Sequence, residues 1–465
     1  MNLNKGIFRE YDVRGIAESD FKGEFPYKLG QAFAVYLIEN QKGNSIAVSG
    51  DVRPSTKRLK KEFINGVLSK GLNVVDIGIL PTPINYFANY CSRISIDGSV
   101  QITGSHNPSE YNGFKFTLQK KPFFGKKIID LYNIIQSGLC DTFTTPNISG
   151  KLILENIIPD YIDDIISRIN INKNMKVVMD CGNAAGAIVA PEIFKKIGIN
   201  LKELYCDIDG TFPNHHPDPT VDSNLKGIIK EIQNSRDVDL GIAYDGDADR
   251  VVCIDSNGNI VRSDILMCIF IKDILRTSNS KKIIYDVKCS SAIKEVILEQ
   301  GGEAIEWKTG HSLIKNKMIL EESNFGGELS GHIFFADKYY GYDDAIYVSL
   351  RLLEILSSSD MTLNELVKLI PTYISTPELR FECDSDQIKF SIMNNLKTDF
   401  ESEYDCSMID GIKFFIDNGW GLLRASNTQP VIVCRIEAKS EKELNNIKSI
   451  ILSKLSKYKG VKIEF

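Results

Sequence analysis

Three carboxylates at alternate positions are the first group of residues in this sequence that is suited to chemistry. Asp245, Asp247 and Asp249 lie between two apolar segments that predict strands. Side chains at period two point to opposite faces of a strand, so these aspartates converge only if the backbone turns, and Gly246 permits a turn. A hard, oxygen-ligated cation such as Mg²⁺ fits this cluster. The open alternative is an exposed hairpin with solvated acids.

A serine in a second loop is a candidate carrier of a phosphoryl group. Ser105 lies in the run Thr103-Gly104-Ser105-His106-Asn107-Pro108, directly after an apolar strand pattern. The small residue before it and the proline after it predict a hydroxyl exposed at the end of that strand. Together with the aspartates, this pattern indicates a metal-assisted, phosphorylatable serine. A plain turn is the alternative interpretation.

Two further loops combine groups that bind sugars and phosphates. The glycine-rich segment 326–332 carries Glu328, Ser330 and His332 at alternate positions, which would face one way in an extended segment. Glu328 and Ser330 are suited to sugar hydroxyls, and His332 to proton transfer or to hydrogen bonding. The segment 424–430 contains a guanidinium, two hydroxyls and the amide of Asn427, a composition that suits a phosphate dianion. For both segments an ordinary turn is the alternative.

A weak repeat predicts the elements that position these loops. Apolar runs at 46–51, 177–182 and 283–288 each read as a buried strand ending near an aspartate, followed by capping residues, a helical pattern and a second strand. Three strand–loop–helix blocks predict three related mixed α/β domains. The last ninety or so residues predict strands followed by an amphipathic helix, which is an α+β domain. The expected boundaries are 1–150, 151–256, 257–370 and 371–465.

Composition and net charge limit the kinds of partner that the chain can bind and the compartment in which it can fold. The chain has 465 residues, 43% of them hydrophobic, and a net charge of −6, which gives no basic footprint for nucleic acid. Its ten cysteines form no Cys-x-x-Cys pair and predict buried, reduced thiols in a cytoplasmic protein. No signal peptide or membrane span is indicated. The oligomeric state is open, with a monomer favoured.

Taken together, the four loops resemble those of the α-D-phosphohexomutases, and most closely the bacterial phosphomannomutase/phosphoglucomutase branch. The resemblance spans the whole chain, in the family's order, and it implies an α/β fold of three related domains and a C-terminal α+β domain around one central cleft. It implies a phosphoserine at Ser105 and Mg²⁺ held by Ser105, Asp245, Asp247 and Asp249. The other catalytic residues that it implies are Arg14, Lys115, Arg250 and His332. The substrate-binding residues that it implies are Tyr11, Lys288, His311, Glu328, Ser330, His332, Arg424, Ser426, Asn427 and Thr428.

The activity implied by this resemblance is the reversible interconversion of hexose 1-phosphate and hexose 6-phosphate. Ser105 would exchange its phosphate with the sugar through a hexose 1,6-bisphosphate, which reorients and also serves as activator. Mannose and glucose are both expected as substrates, because they differ only at C2 and a loop that binds the 3- and 4-hydroxyls through Glu328 and Ser330 would not contact C2. Leu329, where the related phosphoglucosamine mutases typically carry Gln, favours this branch over theirs. The alternatives are a phosphoglucosamine mutase, a metal-dependent phosphatase and a non-catalytic paralogue that binds sugar phosphates.

Overall fold

A computed structural model of the chain describes residues 3–40, 42–144, 150–235, 237–426 and 430–463. The chain forms two compact units, each built from two stretches of sequence. Unit 1 comprises residues 1–266 and 330–367, and unit 2 comprises residues 267–329 and 368–465.

The first sheet of unit 1 is mixed, in the order β1-β5-β4-β2-β3-β7. Its strands β2, β3, β4 and β7 run parallel, whereas β5 is antiparallel to β4 and to β1. The elements of this part are β1 (Val13–Ile16), α1 (Phe25–Glu39), β2 (Ser45–Gly50), α2 (Thr56–Leu68), β3 (Asn73–Ile79), α3 (Thr82–Ala88), β4 (Gly98–Ile102), β5 (Tyr111–Leu118), β6 (Lys121–Pro122), α4 (Lys126–Gln136), α5 (Leu139–Thr142) and β7 (Leu152–Leu154). The carboxyl ends of β2 and β4 therefore lie side by side, where polar residues can meet.

The second sheet of unit 1 has the order β12-β11-β10-β8-β9. Strand β10 is parallel to β8 and antiparallel to β11, so residues 245–250 connect a hairpin. The elements of this part are α6 (Ile158–Ser167), β8 (Lys176–Asp180), α7 (Ala190–Lys196), β9 (Asn200–Leu204), α8 (Lys226–Asn234), β10 (Leu240–Tyr244), β11 (Val251–Asp255), β12 (Ile260–Val261) and α9 (Ser263–Thr277), of which α9 continues into unit 2. Every residue of β10 and β11 is buried, as their apolar sequences predict.

Unit 2 begins with parallel strands in the order β14-β13-β15. Its C-terminal part is an antiparallel sheet in the order β17-β22-β21-β20-β19, with β18 also paired to β22. The remaining elements of the chain are β13 (Lys282–Asp286), α10 (Ser291–Glu299), β14 (Glu303–Trp307), α11 (His311–Glu321), β15 (Phe325–Gly327), β16 (Ile333–Phe335), α12 (Ala345–Ser357), α13 (Leu363–Lys368), β17 (Ile374–Ser375), β18 (Leu379–Glu382), α14 (Asp386–Glu401), β19 (Asp405–Ser407), β20 (Ile412–Ile416), β21 (Gly419–Ala425), β22 (Val431–Ala438) and α15 (Glu441–Leu455).

The predicted repeat is confirmed. The successions β2-α2-β3, β8-α7-β9 and β13-α10-β14 each place a helix between two parallel strands. The predicted C-terminal α+β unit is confirmed too, because the apolar face of α15 buries Leu444, Ile447, Ile451 and Leu455 in its core. All ten cysteines lie in the described ranges, where none forms a disulfide bond and eight are buried, in agreement with the prediction of reduced thiols. Among the described helices, none is long and apolar enough to cross a membrane.

Two glycines let the helices α1 and α2 approach each other closely. A Cβ on Gly30 would lie 2.2 Å from the carbonyl oxygen of Phe63, and one on Gly66 would lie 2.0 Å from that of Tyr27. Both distances are far inside van der Waals contact, and in each case the neighbour is backbone, which cannot rotate away. The packing of this helix pair on the first sheet therefore requires glycine at both positions.

We expect Gly66→Ala to destabilise the protein, because the overpacked helix pair must separate, at a cost of about 1–3 kcal/mol. The higher helix propensity of alanine, roughly 1 kcal/mol, offsets only part of this. The measurement is the thermal unfolding midpoint, followed by circular dichroism. The matched control is Asn65→Ala at the exposed neighbouring position of α2. Equal midpoints for the two variants would show that the close approach is not needed.

Candidate active site

Ser105 lies just after the carboxyl end of β4, with a backbone φ of 50°. Its hydroxyl donates to Asp245 Oδ2 at 3.1 Å and lies 3.2 Å from His106 Nδ1. The strand-end position agrees with the prediction, but the predicted exposure is wrong, since only 1% of Ser105 is exposed. The reason is that the loop carrying Asp245 packs directly on the serine and removes its hydroxyl from water.

The three aspartates lie in the hairpin connection between β10 and β11, and none has exposed surface. One oxygen of each carboxylate lies within 4.8 Å of the others. The predicted turn at Gly246 is confirmed, since residues 246 and 247 are the central pair of a turn in which the N–H of Ala248 donates to the carbonyl oxygen of Asp245 at 3.1 Å. The residue with positive φ, however, is Ala248, at 56°. Gly246 is required for a different reason: a Cβ there would lie 2.3 Å from the carbonyl oxygen of Ser105.

The aspartate cluster has the properties of a cation site. Asp247 Oδ1 and Asp249 Oδ1 are buried and have no hydrogen-bond partner among the described residues. Burial, together with the charges of Asp249 and Asp247, raises the pKa of Asp245 well above its ordinary value. A divalent cation would remove this repulsion and bind the two unpartnered oxygens. Since each of the three aspartates offers a carboxylate oxygen, the residues fit a hard cation, which Asp245, Asp247 and Asp249 would hold beside Ser105 Oγ.

Lys115 partly neutralises the cluster. It lies on β5, and its buried Nζ contacts Asp247 Oδ2 at 2.7 Å and Asp249 Oδ2 at 2.5 Å. Burial alone would lower the pKa of Lys115, but the two carboxylates outweigh it and raise that pKa above its ordinary value. Despite its own burial, Asp247 has a pKa below its ordinary value, because Lys115 and Thr82 stabilise its charge. Thr82, at the start of α3, donates its hydroxyl to Asp247 Oδ2.

Arg250 and His332 form the other side of the cluster. Arg250 Nε donates to His332 Nε2 at 3.0 Å, so that nitrogen acts as the acceptor. The other ring nitrogen, Nδ1, lies 3.1 Å from Asp343 Oδ2 and 3.6 Å from Asp249 Oδ1. A carboxylate beside Nδ1 and a guanidinium beside Nε2 together favour the tautomer protonated on Nδ1. The ring is therefore held in one orientation at the edge of the aspartate cluster.

The predicted sugar loop is not an extended segment. Leu329 and Ser330 form a turn, and Gly331 has a φ of 99°, so simple alternation does not describe 328–332. Glu328, in unit 2, is almost fully buried and accepts a hydrogen bond from the backbone N–H of Gly310. The neighbouring N–H of Leu329 donates to Asp286 Oδ1 at 3.2 Å. The end of β13 thus supports the loop that carries Glu328.

Arg424 lies at the end of β21, in unit 2. Its Nη2 contacts Asp410 Oδ2 at 2.7 Å, and the same oxygen accepts the N–H of Thr309 at 2.9 Å. Ser426 is half-buried, and its carbonyl oxygen accepts from Lys389 Nζ at 2.7 Å. The predicted site residues Asn427 and Thr428 lie outside the described residues.

The other predicted site residues occupy separate positions on the two units. In unit 1, Tyr11 is half-buried just before β1, Arg14 contacts Asp12 Oδ2 at 2.5 Å, and Ser330 is half-buried in its turn. In unit 2, His311 is buried at the start of α11, and Lys288 follows β13 at 3.8 Å from Glu378 Oε2. Unit 1 thus brings together Ser105, the three aspartates, Lys115, Arg250 and His332.

Three residues that sequence reasoning missed contact this set directly, and a fourth contacts Arg424 in unit 2. His106 and Thr82 lie beside Ser105 and Asp247, Asp343 lies beside His332, and Asp410 lies beside Arg424. His106 could have been found from the sequence, because its imidazole directly follows Ser105 in the same run. The other three are distant in sequence from their partners and carry no local pattern.

A buried serine hydroxyl beside an oxygen-only cation site and a charged lysine is suited to phosphoryl transfer, in which negative charge must be stabilised without water. Comparison with known proteins agrees with this class. Family models of phosphoglucomutase/phosphomannomutase match the alpha/beta/alpha domains I, II and III at residues 5–138, 159–258 and 262–373, and the C-terminal domain at 379–454. The chain belongs to the phosphoglucomutase/phosphomannomutase family.

Individual relatives are similar over almost the whole chain. A phosphomannomutase/phosphoglucomutase of Pseudomonas putida is 39% identical over 97% of this chain and 96% of its own. A phosphoglucomutase of Neisseria meningitidis is 38% identical over 96% of each chain. A solved phosphoglucomutase/phosphomannomutase family protein of Burkholderia thailandensis superposes with a TM-score of 0.92, at 35% identity and with complete coverage of both chains.

The aspartate cluster predicts a metal-dependent gain in stability. Ion binding to the native state raises the free energy of unfolding by about 2.7 kcal/mol at 100 times the dissociation constant. We therefore expect added MgCl₂ to raise the thermal midpoint of the wild type, and Asp249→Asn to lose most of that rise. Scanning fluorimetry measures both, with the exposed Asp237→Asn as matched control. An undiminished rise in Asp249→Asn would place the ion elsewhere.

Proposed function

We propose that this chain interconverts hexose 1-phosphate and hexose 6-phosphate, with mannose and glucose both accepted, using Mg²⁺ and a phosphate carried on Ser105. The observation that carries the proposal is the Ser105 hydroxyl 3.1 Å from Asp245, inside a buried cluster of three carboxylates. Family membership supports the reaction type, since the relatives are named as phosphomannomutases and phosphoglucomutases. The chain is accordingly an intramolecular phosphotransferase.

The first step in this proposal moves the phosphoryl group from Ser105 to the free hydroxyl of a hexose monophosphate. The hydroxyl oxygen bonds to phosphorus, the bond between phosphorus and Ser105 Oγ breaks, and the hydroxyl proton passes to a side chain. Mg²⁺, when bound, offsets the charge on the transferring group. Lys115, Arg14 and His332 are the candidates for proton transfer or for purely electrostatic stabilisation, and Arg250 adds positive charge beside Asp249.

The product of this step is a hexose 1,6-bisphosphate, which must reorient before the second step. After reorientation, its other phosphate returns to Ser105 and the isomeric monophosphate is released. The second step is the reverse of the first, with the other phosphate at Ser105. One site distal to Ser105 must therefore hold the 1-phosphate in one step and the 6-phosphate in the other. We assign this role to Arg424, with Ser426, Asn427 and Thr428, because a guanidinium and neutral donors together suit a phosphate dianion.

Recognition of the sugar in this proposal depends on Glu328 and Ser330, which bind the 3- and 4-hydroxyls in both orientations. Glucose and mannose differ only at C2. Because these two residues do not contact C2, they do not distinguish the two sugars. Tyr11, Lys288 and His311 complete the proposed binding set. Lys288 is suited to a phosphate, because its ammonium group lies 3.8 Å from Glu378 Oε2, which is beyond hydrogen-bonding distance.

The decisive experiment concerns Ser105. We expect the isolated protein to carry a phosphate on Ser105, or to acquire one from glucose 1,6-bisphosphate, and Ser105→Ala to keep the fold but lose nearly all turnover of mannose 1-phosphate and glucose 1-phosphate. Intact mass, peptide mapping and coupled assays measure this. Ser19→Ala, at an exposed position, is the control. An unmodified Ser105 after incubation with the bisphosphate would remove the proposed donor.

Arg424→Ala should weaken turnover of 1-phosphates and 6-phosphates alike, because one anchor holds whichever phosphate is distal. A hydrogen bond to a charged group contributes about 1.5–3 kcal/mol, so kcat/KM should fall roughly ten- to two-hundred-fold for each isomer. The control is Arg380→Ala, a more exposed arginine of unit 2 that pairs with Glu378. Impairment of one isomer alone would contradict a shared distal site and the reorientation step.

A further inference from the structure

We infer that Arg53 is a positioning residue for Ser105: its guanidinium holds the backbone of the loop 105–111 so that the Ser105 hydroxyl stays against Asp245. The inference rests on the proposed role of Ser105 as the phosphoryl carrier. Arg53 does not touch the hydroxyl, and it precedes Ser105 by 52 residues, so the sequence alone does not connect them.

The loop needs such support because Ser105 has a strained backbone. Its φ of 50° lies in the left-handed region, which residues with a Cβ rarely adopt. Such a conformation persists only where the surroundings determine it. The position of Oγ depends on this backbone, since a change of φ would swing the side chain away from Asp245.

Arg53 uses all five of its N–H donors, four of them on this loop. Nη2 donates to the carbonyl oxygens of Ser105 at 2.7 Å and Asn107 at 2.6 Å. Nη1 donates to those of Pro108 and, at 3.2 Å, Tyr111. The fifth donor, Nε, pairs with Asp51 Oδ2 at 2.9 Å. A guanidinium has five N–H groups in a rigid planar fork, so this arrangement saturates it and fixes four carbonyls relative to one another.

Asp51 extends the same support to the residues that precede Ser105. Its Oδ2 also accepts the hydroxyl of Thr103 at 2.8 Å and the N–H of Gly104 at 3.2 Å. The Thr103 oxygen in turn accepts the N–H of Ser105 at 2.8 Å. Both sides of the serine are thus connected to one buried ion pair, in which Asp51 and Arg53 are 2% and 0% exposed.

The packing around Arg53 is closed. The ring of Phe212 faces the guanidinium, with its centroid at 5.0 Å. On the loop side, a Cβ on Gly104 would lie 2.5 Å from Arg53 Cζ, so only glycine fits there. A smaller cation cannot replace the guanidinium, because an ammonium has three donors at a single point and cannot reach four spread carbonyls.

The test compares Arg53→Lys with Arg58→Lys. Arg58 is on α2 in the same unit and also donates to backbone carbonyls, those of Phe21 and Ala17, which lie outside the loop 105–111. For Arg53→Lys we expect kcat, and the rate at which glucose 1,6-bisphosphate phosphorylates Ser105, to fall roughly hundredfold, the order of effect of a 1 Å misplacement. KM should change less than about threefold, since the proposed distal phosphate anchor, Arg424, lies in unit 2 and Arg53 in unit 1.

A purely structural role would lower the thermal midpoint without this split between kcat and KM. Val67→Ala, which opens a cavity in α2, provides the comparison for lost stability, and assays run well below every midpoint. The inference is overturned if Arg53→Lys keeps kcat within about twofold of wild type, or if Arg58→Lys or Val67→Ala loses kcat equally. If wild-type Ser105 accepts no phosphate, the proposed function fails and this inference with it.

If Arg53→Lys does not fold, Thr103→Val provides a second test of the support for the Ser105 loop. The substitution keeps the shape of the side chain while removing the oxygen that connects Asp51 to the N–H of Ser105. It should lower kcat and the phosphorylation rate of Ser105 at least tenfold, with KM nearly unchanged. Wild-type rates in a folded Thr103→Val protein would overturn the inference.

Discussion

The burial of excess negative charge beside Ser105 is the constraint on which the site of unit 1 depends. Asp245, Asp247 and Asp249 have no exposed surface, and an isolated buried carboxylate is costly. Lys115 and Thr82 stabilise Asp247, and the N–H groups of Asp249 and Arg250 both donate to Asp245 Oδ1 at 3.1 Å. The phosphate proposed on Ser105 would add a charge of about −1.5 to −2. In the proposed function, both the cation and the protein's own basic groups would offset this negative charge.

The same charge balance limits how a proton can move. Lys115 is held between two carboxylates that raise its pKa, so it is charged and has no lone pair to accept a proton. The acceptor nitrogen of His332, Nε2, receives Arg250 Nε. For either residue to act as a base, a contact with Asp247, Asp249 or Arg250 must first be exchanged for one with the substrate. Charge stabilisation needs no such exchange, and it is the simpler role for both residues.

The sequence predicts those parts of the fold and site that depend on neighbouring residues. Buried strands followed by amphipathic helices are visible as apolar runs, and the repeat β2-α2-β3 follows from them. The aspartate loop is visible because all its carboxylates lie within five residues. The burial of Ser105 was not predictable, because it results from the aspartate loop packing on the serine, and no local pattern marks Ala248 as the residue with positive φ. Asp343 was not predicted either, because only the fold brings it next to His332.

Arg424 shows how an anionic neighbour and an anionic ligand can share one guanidinium. Asp410 occupies Nη2 at 2.7 Å and is itself held by the N–H of Thr309. Arg424 Nε is buried and has no hydrogen-bond partner in the described part of the chain. An unsatisfied buried donor costs about 1–3 kcal/mol, which an acceptor would recover. In the proposed function a phosphate oxygen fills this position while Asp410 stays in place. The carboxylate then orients the guanidinium, and the charge of the phosphate is met at the Nε edge.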